Sequence, residues 1–534
     1  MKKNTYKNFI ATVGFALLLI TACTDLDAPV VSEITPDTFP RTQNDFITLE
    51  GPLFTNLSQY FMQGLWFCQE NTADGMVLTA NGGNWYDAAR YVNDHLHTWA
   101  TDSRFINEAW QCCFGGISKA NSLLPLFEAA EESAFKKTAI AEIRAMRAYY
   151  YFLAIDMWGD VPLVTTFGPD TPSTGRESRA TVYNFIESEL KAAIPDLSGT
   201  TGTTTYGRPT KWMAYALLAK LYLNAPIYAG KTGTYNDAIA ACDAVITEAQ
   251  KGTISLYSDY IKMFYPDNGP QITEFLFEAI YDGNNITLNY PARYWLHKYL
   301  KTKYALPFTP SGCIRTWPEF YDKFTIDATD VRQQIWLTGK QYNTDGTPIM
   351  ITTTNKGYDA RYSGDNPKGT YTYQLEFTRN VEFRSLEKFD TGDDDLGWEQ
   401  GYRCNKFYPD KTSPTRDQSN DQAVLRYADV LLMKAEAILR GGTATMGQTA
   451  LSLVNQVRAR AKASQFTSID LNGLLDERAR ELCFEGWRRN DLIRFGKWED
   501  KWGVKTDADV RHRVLPVPKQ QIDINPLLTQ NPGY

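Results

Sequence analysis

The sequence predicts a mainly α protein, with TPR-like helix pairs forming a right-handed scaffold that carries a loop-rich, irregular insertion. Three observations predict it. Apolar residues recur at spacings of three and four along several segments, the stripe of an amphipathic helix. Small residues are interleaved with Leu and Tyr on these stripes, as where helix hairpins stack closely. Between residues 255 and 420 the period gives way to Gly, Asn, Asp, Thr, Pro and aromatic residues. The strict tetratricopeptide signature is not visible, so the likeness is to the pairing of helices.

The helices follow in chain order. Ile143, Met146, Tyr150, Leu153 and Met157 form one stripe, and Val182, Ile186, Leu190 and Ile194 another. The segment 212–228 is rich in Ala and Leu, with Ala214, Leu217, Leu218 and Leu221 on one side. Segments 424–439, 450–463 and 474–495 are three more helices, the first closed by Gly441-Gly442. Trp158-Gly159-Asp160 reads as a helix stop, and Pro162 keeps the chain from resuming the helix. Inside the insertion only 318–324 keeps a helical stripe. The expected organisation is a single domain over 43–534, with scaffold at 43–254 and 421–534 and insertion at 255–420.

Of 534 residues 43% are hydrophobic and 22% charged, which sets aside disordered and fibrous classes. A net charge of −7 leaves no basic footprint, so no nucleic-acid partner is expected. Eight cysteines are too sparse for a disulfide scaffold, and most are expected to be buried small apolar residues.

Residues 1–22 read as a signal peptide. Lys2, Lys3 and Lys7 precede an apolar run from Phe9 to Ile20, too short to span a bilayer comfortably. Ile20-Thr21-Ala22-Cys23 resembles a bacterial lipobox, which makes Cys23 the expected lipidation site. Asp25 and Asp27 resemble a signal that sends lipoproteins to the outer face of the outer membrane, and residues 23–42 read as lipidated N-terminus and tether.

Six segments, in order, carry a resemblance. They are Arg144-Ala-Met-Arg147-Ala-Tyr-Tyr-Tyr-Phe-Leu running into Trp158-Gly159-Asp160-Val161-Pro162; Gly207-Arg208-Pro209-Thr210; Leu425-Arg426-Tyr427-Ala428-Asp429; Asn455 to Ala461; Glu477 to Gly496; and Leu515-Pro516-Val517-Pro518 with the terminal Asn531-Pro532-Gly533-Tyr534. Their order and spacing resemble the SusD/RagB family of outer-membrane glycan-binding lipoproteins, with Pro209 a small departure. The resemblance covers essentially the whole mature chain except the insertion. It implies a protein lipid-anchored to the outer membrane and facing the exterior, which captures a carbohydrate for a SusC-type TonB-dependent transporter. It implies no cofactor, and a glycan site built from loops away from the helix pairs.

Glu477, Glu481 and Glu485 lie four apart. Acid and base of a glycosidase face each other across a cleft, so these three are expected instead to form an ion-pair layer with Arg426, Arg458, Arg488 or Arg494. No H-E-x-x-H, G-x-S-x-G or Walker loop occurs. His95 and His97 are expected to pack near Trp99 rather than bind metal, and Asp393-Asp394-Asp395 to form an exposed acidic loop rather than a Ca²⁺ site.

A sugar site needs flat aromatic platforms and hydrogen-bonding side chains. Two segments supply both. The first holds Asp74, Asn84, Trp85, Tyr86 and Arg90, with Gly82-Gly83 making a tight loop. The second holds Tyr290, Tyr294, Trp295, Tyr299 and Trp317. Core packing competes for each aromatic, and Trp85 is the leading candidate. Three functions remain open: a glycan-binding lipoprotein, a peptide-binding member of the same family, and a glycoside hydrolase. The hydrolase would need two facing carboxylates that no motif identifies.

Overall fold

A computed structural model describes residues 39–168, 171–357 and 369–534. Cys23 and the segment before it lie outside them. The chain is mainly helical, and its long helices pack against one another. Arg104–Ala129 packs on Ala134–Trp158, which packs in turn on Arg179–Ala193. Lys211–Leu223 packs on Tyr235–Ala249, then come Tyr427–Leu439 and Ala450–Arg460. Their starts are written in the sequence. Thr42, Ser133, Ser178, Thr210, Thr449 and Asp470 each cap a helix, accepting a hydrogen bond from the backbone N–H three residues on. Such a cap contributes about 1 kcal/mol. Close approach needs small residues: a Cβ on Gly116 would lie 2.3 Å from the ring of Tyr150 on the neighbouring helix.

Two predicted helices are broken. The stretch 212–228 divides at Asn224, where Pro226, lacking an N–H, begins the short helix Ala225–Ala229. The stretch 474–495 divides into Leu471–Leu482 and Arg488–Arg494, with Phe484 and Gly486 at positive φ between them. Glu485 therefore sits in a turn beyond the helix that bears Glu477 and Glu481. The helices Gln43–Tyr60 and Arg104–Ala129 continue through Pro52 and Pro125.

The insertion is closed at its base by an antiparallel ribbon, Phe275–Ala279 with Gln422–Arg426. A second ribbon, Met76–Leu78 with Ile314–Thr316, fastens it to the N-terminal half. Its own apolar cluster includes Leu296, Leu300, Ile351, Leu375 and Phe377. Short strands, 3-10 turns and the five-residue helices Pro291–Trp295, Pro318–Asp322 and Asp395–Glu399 are the regular structure described within it.

A buried ion-pair layer joins the insertion to the C-terminal helices. Glu477 meets Arg332 at 2.8 Å, Arg458 at 3.0 Å and Arg480 at 2.7 Å. Glu481 meets Arg332 at 3.0 Å, Arg426 at 2.6 Å and also Arg460. Glu485 meets Lys406 at 2.5 Å and Arg426 at 2.7 Å. Of the expected partners, Arg426 and Arg458 are here. Arg488 instead pairs with Asp74 at 2.7 Å, and Arg494 with Glu436 at 2.8 Å and Asp491 at 2.6 Å. Burial opposes ionisation of Glu477 and Glu481, but the surrounding guanidiniums prevail and hold both carboxyls below their ordinary range.

Other buried carboxyls lack such compensation. Burial pushes Glu70 and Glu278 up to about 8, and Asp94 and Asp421 up to about 7. Each stays protonated in the folded chain where an exposed carboxyl is already ionised. Their contribution to stability is full below the ordinary carboxylate range, falls as pH rises through about 7 to 8, and is flat above. The melting temperature is expected to decline between about pH 6.5 and about pH 8, above the range in which His95, His97 and His297, whose imidazoles burial pushes down, act in the opposite sense. A melting temperature that rises across that interval would contradict this account.

All seven cysteines from Cys68 to Cys483 are buried free thiols, as expected of small apolar residues. His97 also packs as expected, stacked between Trp99 and Trp498 at 4.8 and 4.3 Å. The acidic run departs from expectation. Asp393 is exposed, but Asp394 and Asp395 are buried: Asp394 caps a short helix and pairs with Arg384, and Asp395 meets Lys298 at 2.7 Å. Among the described residues no helix is long and apolar enough to cross a membrane.

Candidate functional site

The site begins at a turn. Asn81 and Asn84 pair through their backbones, leaving Gly82, Gly83 and Asn84 at an exposed tip. The N–H groups of Gly82 and Gly83 donate to the two carboxylate oxygens of Asp390, at 2.8 and 2.7 Å. Gly82 has φ +60, and a Cβ there would lie 2.3 Å from that of Asp393. The tip is thus anchored to the insertion. The residues after it are unusual: Trp85, Asp87, Ala88 and Ala89 all take positive φ. For side chains other than glycine this costs of order 1 kcal/mol each, and such strain gathers at binding sites.

This backbone turns Trp85 into a cleft of about 650 Å³. Asn84, Trp85 and Arg90 line it from one side, and Tyr290 and Tyr294 from the short helix Pro291–Trp295 and its N-cap. Two sequence segments some 200 residues apart, both singled out by their aromatic content, therefore meet. Trp85 is half-buried, its ring edge-on to Tyr294 at 5.8 Å and tilted to Tyr91 at 6.1 Å. Tyr290 and Tyr294 are only 8% and 6% exposed, so they offer little ring surface. Trp85 is the platform with ring surface to offer.

Other predicted residues stand elsewhere. Tyr86 turns away from the cleft, with the ammonium of Lys388 5.8 Å from its ring centre. Trp295 follows Tyr294 on the helix and faces the core, 4.8 Å from the ring of Phe484. Tyr299 lies beside Lys298, whose ammonium is 5.0 Å from its ring. Asp74 and Trp317 line a second hollow, of about 460 Å³, together with Trp502 and Lys323. There Trp317 is almost fully buried, and Asp74 is held below its ordinary range by Arg488, against the cost of burial.

The cleft also holds residues that sequence reasoning missed. Gln63 projects from a π-helical stretch following Gln43–Tyr60 and donates to the Leu288 carbonyl at 2.9 Å. Tyr91, Arg104, Phe105, Arg293 and Arg416 complete the main walls. Arg293 was detectable: it lies three residues after Tyr290 and one before Tyr294, on a helix begun by Pro291. Arg416 comes from beyond the insertion's strands and carried no local signal.

The lining of this cleft can hold a ligand by ring stacking and by hydrogen bonds. Asp87 is the one carboxylate among its described lining residues, so it presents no facing acid–base pair. Glu50 and Glu142 do interact, and burial raises both, Glu142 to about 7. Yet they are sealed beneath Arg208, 0% and 1% exposed, where no substrate reaches.

A family model described as "SusD family" matches residues 234–534. A second, "Starch-binding associating with outer membrane", matches residues 51–223. The chain is 28% identical over 425 residues to the starch-binding protein SusD of Bacteroides thetaiotaomicron, covering 74% of this chain and 72% of that protein. It is 25% identical to the SusD-like protein P38 of Formosa agariphila, covering 100% of both. Among solved structures, a surface glycan-binding protein A from Bacteroides fluxus superposes with a TM-score of 0.70 at 18% identity, covering 93% of this chain and 100% of that one. A laminarin-binding SusD-like protein superposes with a TM-score of 0.67 at 22% identity and the same coverage. At such identities the structural likeness speaks for the fold.

Proposed function

The chain belongs to the SusD family, and from that premise we propose that it is a surface-exposed lipoprotein that binds an oligo- or polysaccharide and passes it to a SusC-type TonB-dependent transporter. It binds rather than hydrolyses. The observation that carries this reading is the cleft at Trp85, where one aromatic platform, two largely buried tyrosines and Asn84, Gln63 and arginine donors converge with a single carboxylate. A pyranose offers apolar C–H faces to such a ring and hydroxyls to such donors. The relatives that bind starch, glycan or laminarin support a carbohydrate over a peptide.

Titration calorimetry against a panel of polysaccharides and peptides tests the proposal, with reducing-end assays run on the polysaccharide mixtures. Binding without new reducing ends is expected. New reducing ends would make the protein a hydrolase, and binding to peptides alone would reassign its ligand.

The anchor is proposed at Cys23. A Cys23→Ala protein is expected in the soluble fraction, whereas the wild type sediments with outer membranes and labels at the cell surface. A variant that still did both would refute the lipobox reading.

A further inference from the structure

We propose that the glycan taken by this cleft is anionic, bearing carboxylate or sulfate-ester groups. The inference rests on the cleft being the glycan site. The chain as a whole is acidic, at −7, yet the cleft is lined by Arg90, Arg104, Arg293 and Arg416 against the lone Asp87. That concentration of positive charge on an acidic protein needs a physical account.

The four arginines are not equivalent. Arg104 is paired with Glu108 at 2.5 Å. Arg90 lies near Asp94, whose carboxyl burial raises to about 7 and so leaves largely neutral below that pH. Arg293 and Arg416 have no carboxylate within ion-pair distance among the described residues, unlike the arginines of the buried layer. Their neighbours are rings; Arg416 also hydrogen-bonds the Tyr290 hydroxyl, and the Asp417 carboxylate near that tyrosine is already engaged by the Leu288 N–H and the Thr415 hydroxyl. The Arg293 guanidinium is 5.0 Å from the centre of Trp85, 5.9 Å from Tyr290 and 5.7 Å from Tyr294. Arg416 is 5.1 Å from the centre of Tyr290.

A guanidinium lying over an aromatic ring keeps its N–H edges free, and those edges match the paired oxygens of a carboxylate or sulfate. The ring orients the cation without neutralising it. A neutral sugar needs no such cations: Asn84 and Gln63 would serve its hydroxyls. An acidic sugar laid against Trp85 brings its charged substituent to Arg293, and Arg416 covers the next residue along the chain. Desolvated in a cleft, these contacts are charge-assisted hydrogen bonds, stronger than neutral ones.

The test uses matched glycans: polygalacturonate against methyl-esterified pectin, and dextran sulfate against dextran, with alginate and laminarin as a further acidic and neutral pair. Affinity is measured by calorimetry at low and high salt for the wild type, Arg293→Gln, Arg416→Gln and Trp85→Ala, with thermal melts of each. At least one anionic member is expected to bind about tenfold or more tightly than its neutral counterpart. Each arginine variant is expected to lose about tenfold for it with an unchanged melt, and added salt to weaken the wild type. The pectin arm reports carboxylate and the dextran arm sulfate. Equal affinity for charged and neutral members, with loss on Trp85→Ala, would overturn the anionic inference and leave the cleft as the glycan site. Anionic binding indifferent to all three substitutions would place the ligand elsewhere and overturn both. Absence of binding to every acidic glycan would overturn the inference as well.

Discussion

Glu481→Ala is expected to destabilise the protein by about 3–5 kcal/mol, the cost of leaving buried cations without their counter-charge. Glu481 is fully buried and meets Arg332, Arg426 and Arg460. Removing it leaves Arg460 with Glu274 and burdens Arg426 with Glu274 and Glu485 alone. Glu485→Ala is expected to act in the same direction through Lys406 and Arg426. Neither change should alter ligand affinity measured well below the melting point, because the layer lies away from the Trp85 cleft. Chemical denaturation measures the first effect and calorimetry the second. An unchanged denaturation midpoint for Glu481→Ala would show that the layer is neutral in net energy. A selective loss of binding would move it into the site.

Trp85→Ala is expected to weaken ligand binding by roughly tenfold to a hundredfold, or about 1–3 kcal/mol, the range for removing a large apolar contact at a hot spot. The fold should survive, since Trp85 is half-buried in a loop and packs against the core from outside it. Trp487→Ala is the control. Trp487 is buried, its ring N–H donates to the Val424 carbonyl at 2.8 Å, and the Lys220 ammonium lies 4.0 Å from its ring centre. That variant should lose stability and leave affinity unchanged where it remains folded. Calorimetry with thermal melts of both proteins separates the roles. Unchanged affinity with a lowered melting point for Trp85→Ala would mark Trp85 as a packing residue.

The helical pairs were legible because burial on one face imposes a period, and capping residues announce where it starts. Boundaries failed where backbone chemistry outweighed the period, at Pro226 and in the turn at Phe484–Gly486. The acidic layer was recognised from Glu477, Glu481 and Glu485, but Arg332 and Lys406 belong to the insertion, where no period locates them. The cleft was legible in the same measure. Trp85 and Tyr294 were found from aromatic content, whereas Arg416 and Gln63 enter through tertiary folding. Trp295 and Trp317 share the composition of site residues, and only helix phase and packing separate them from Trp85 and Tyr294.

The buried ion-pair layer also limits how this protein can be recombined. Arg332 and Lys406 lie in the insertion, while Glu477, Glu481 and Glu485 lie in the C-terminal part. Transplanting the whole insertion from a relative severs these pairs at once unless the donor supplies cations at matching positions. The exchangeable unit is therefore smaller. The tip at 82–89 and the strand-free segment around Arg416 touch the cleft while contributing nothing to the layer. Chimeras confined to those two patches can acquire a new ligand preference on an unaltered chassis.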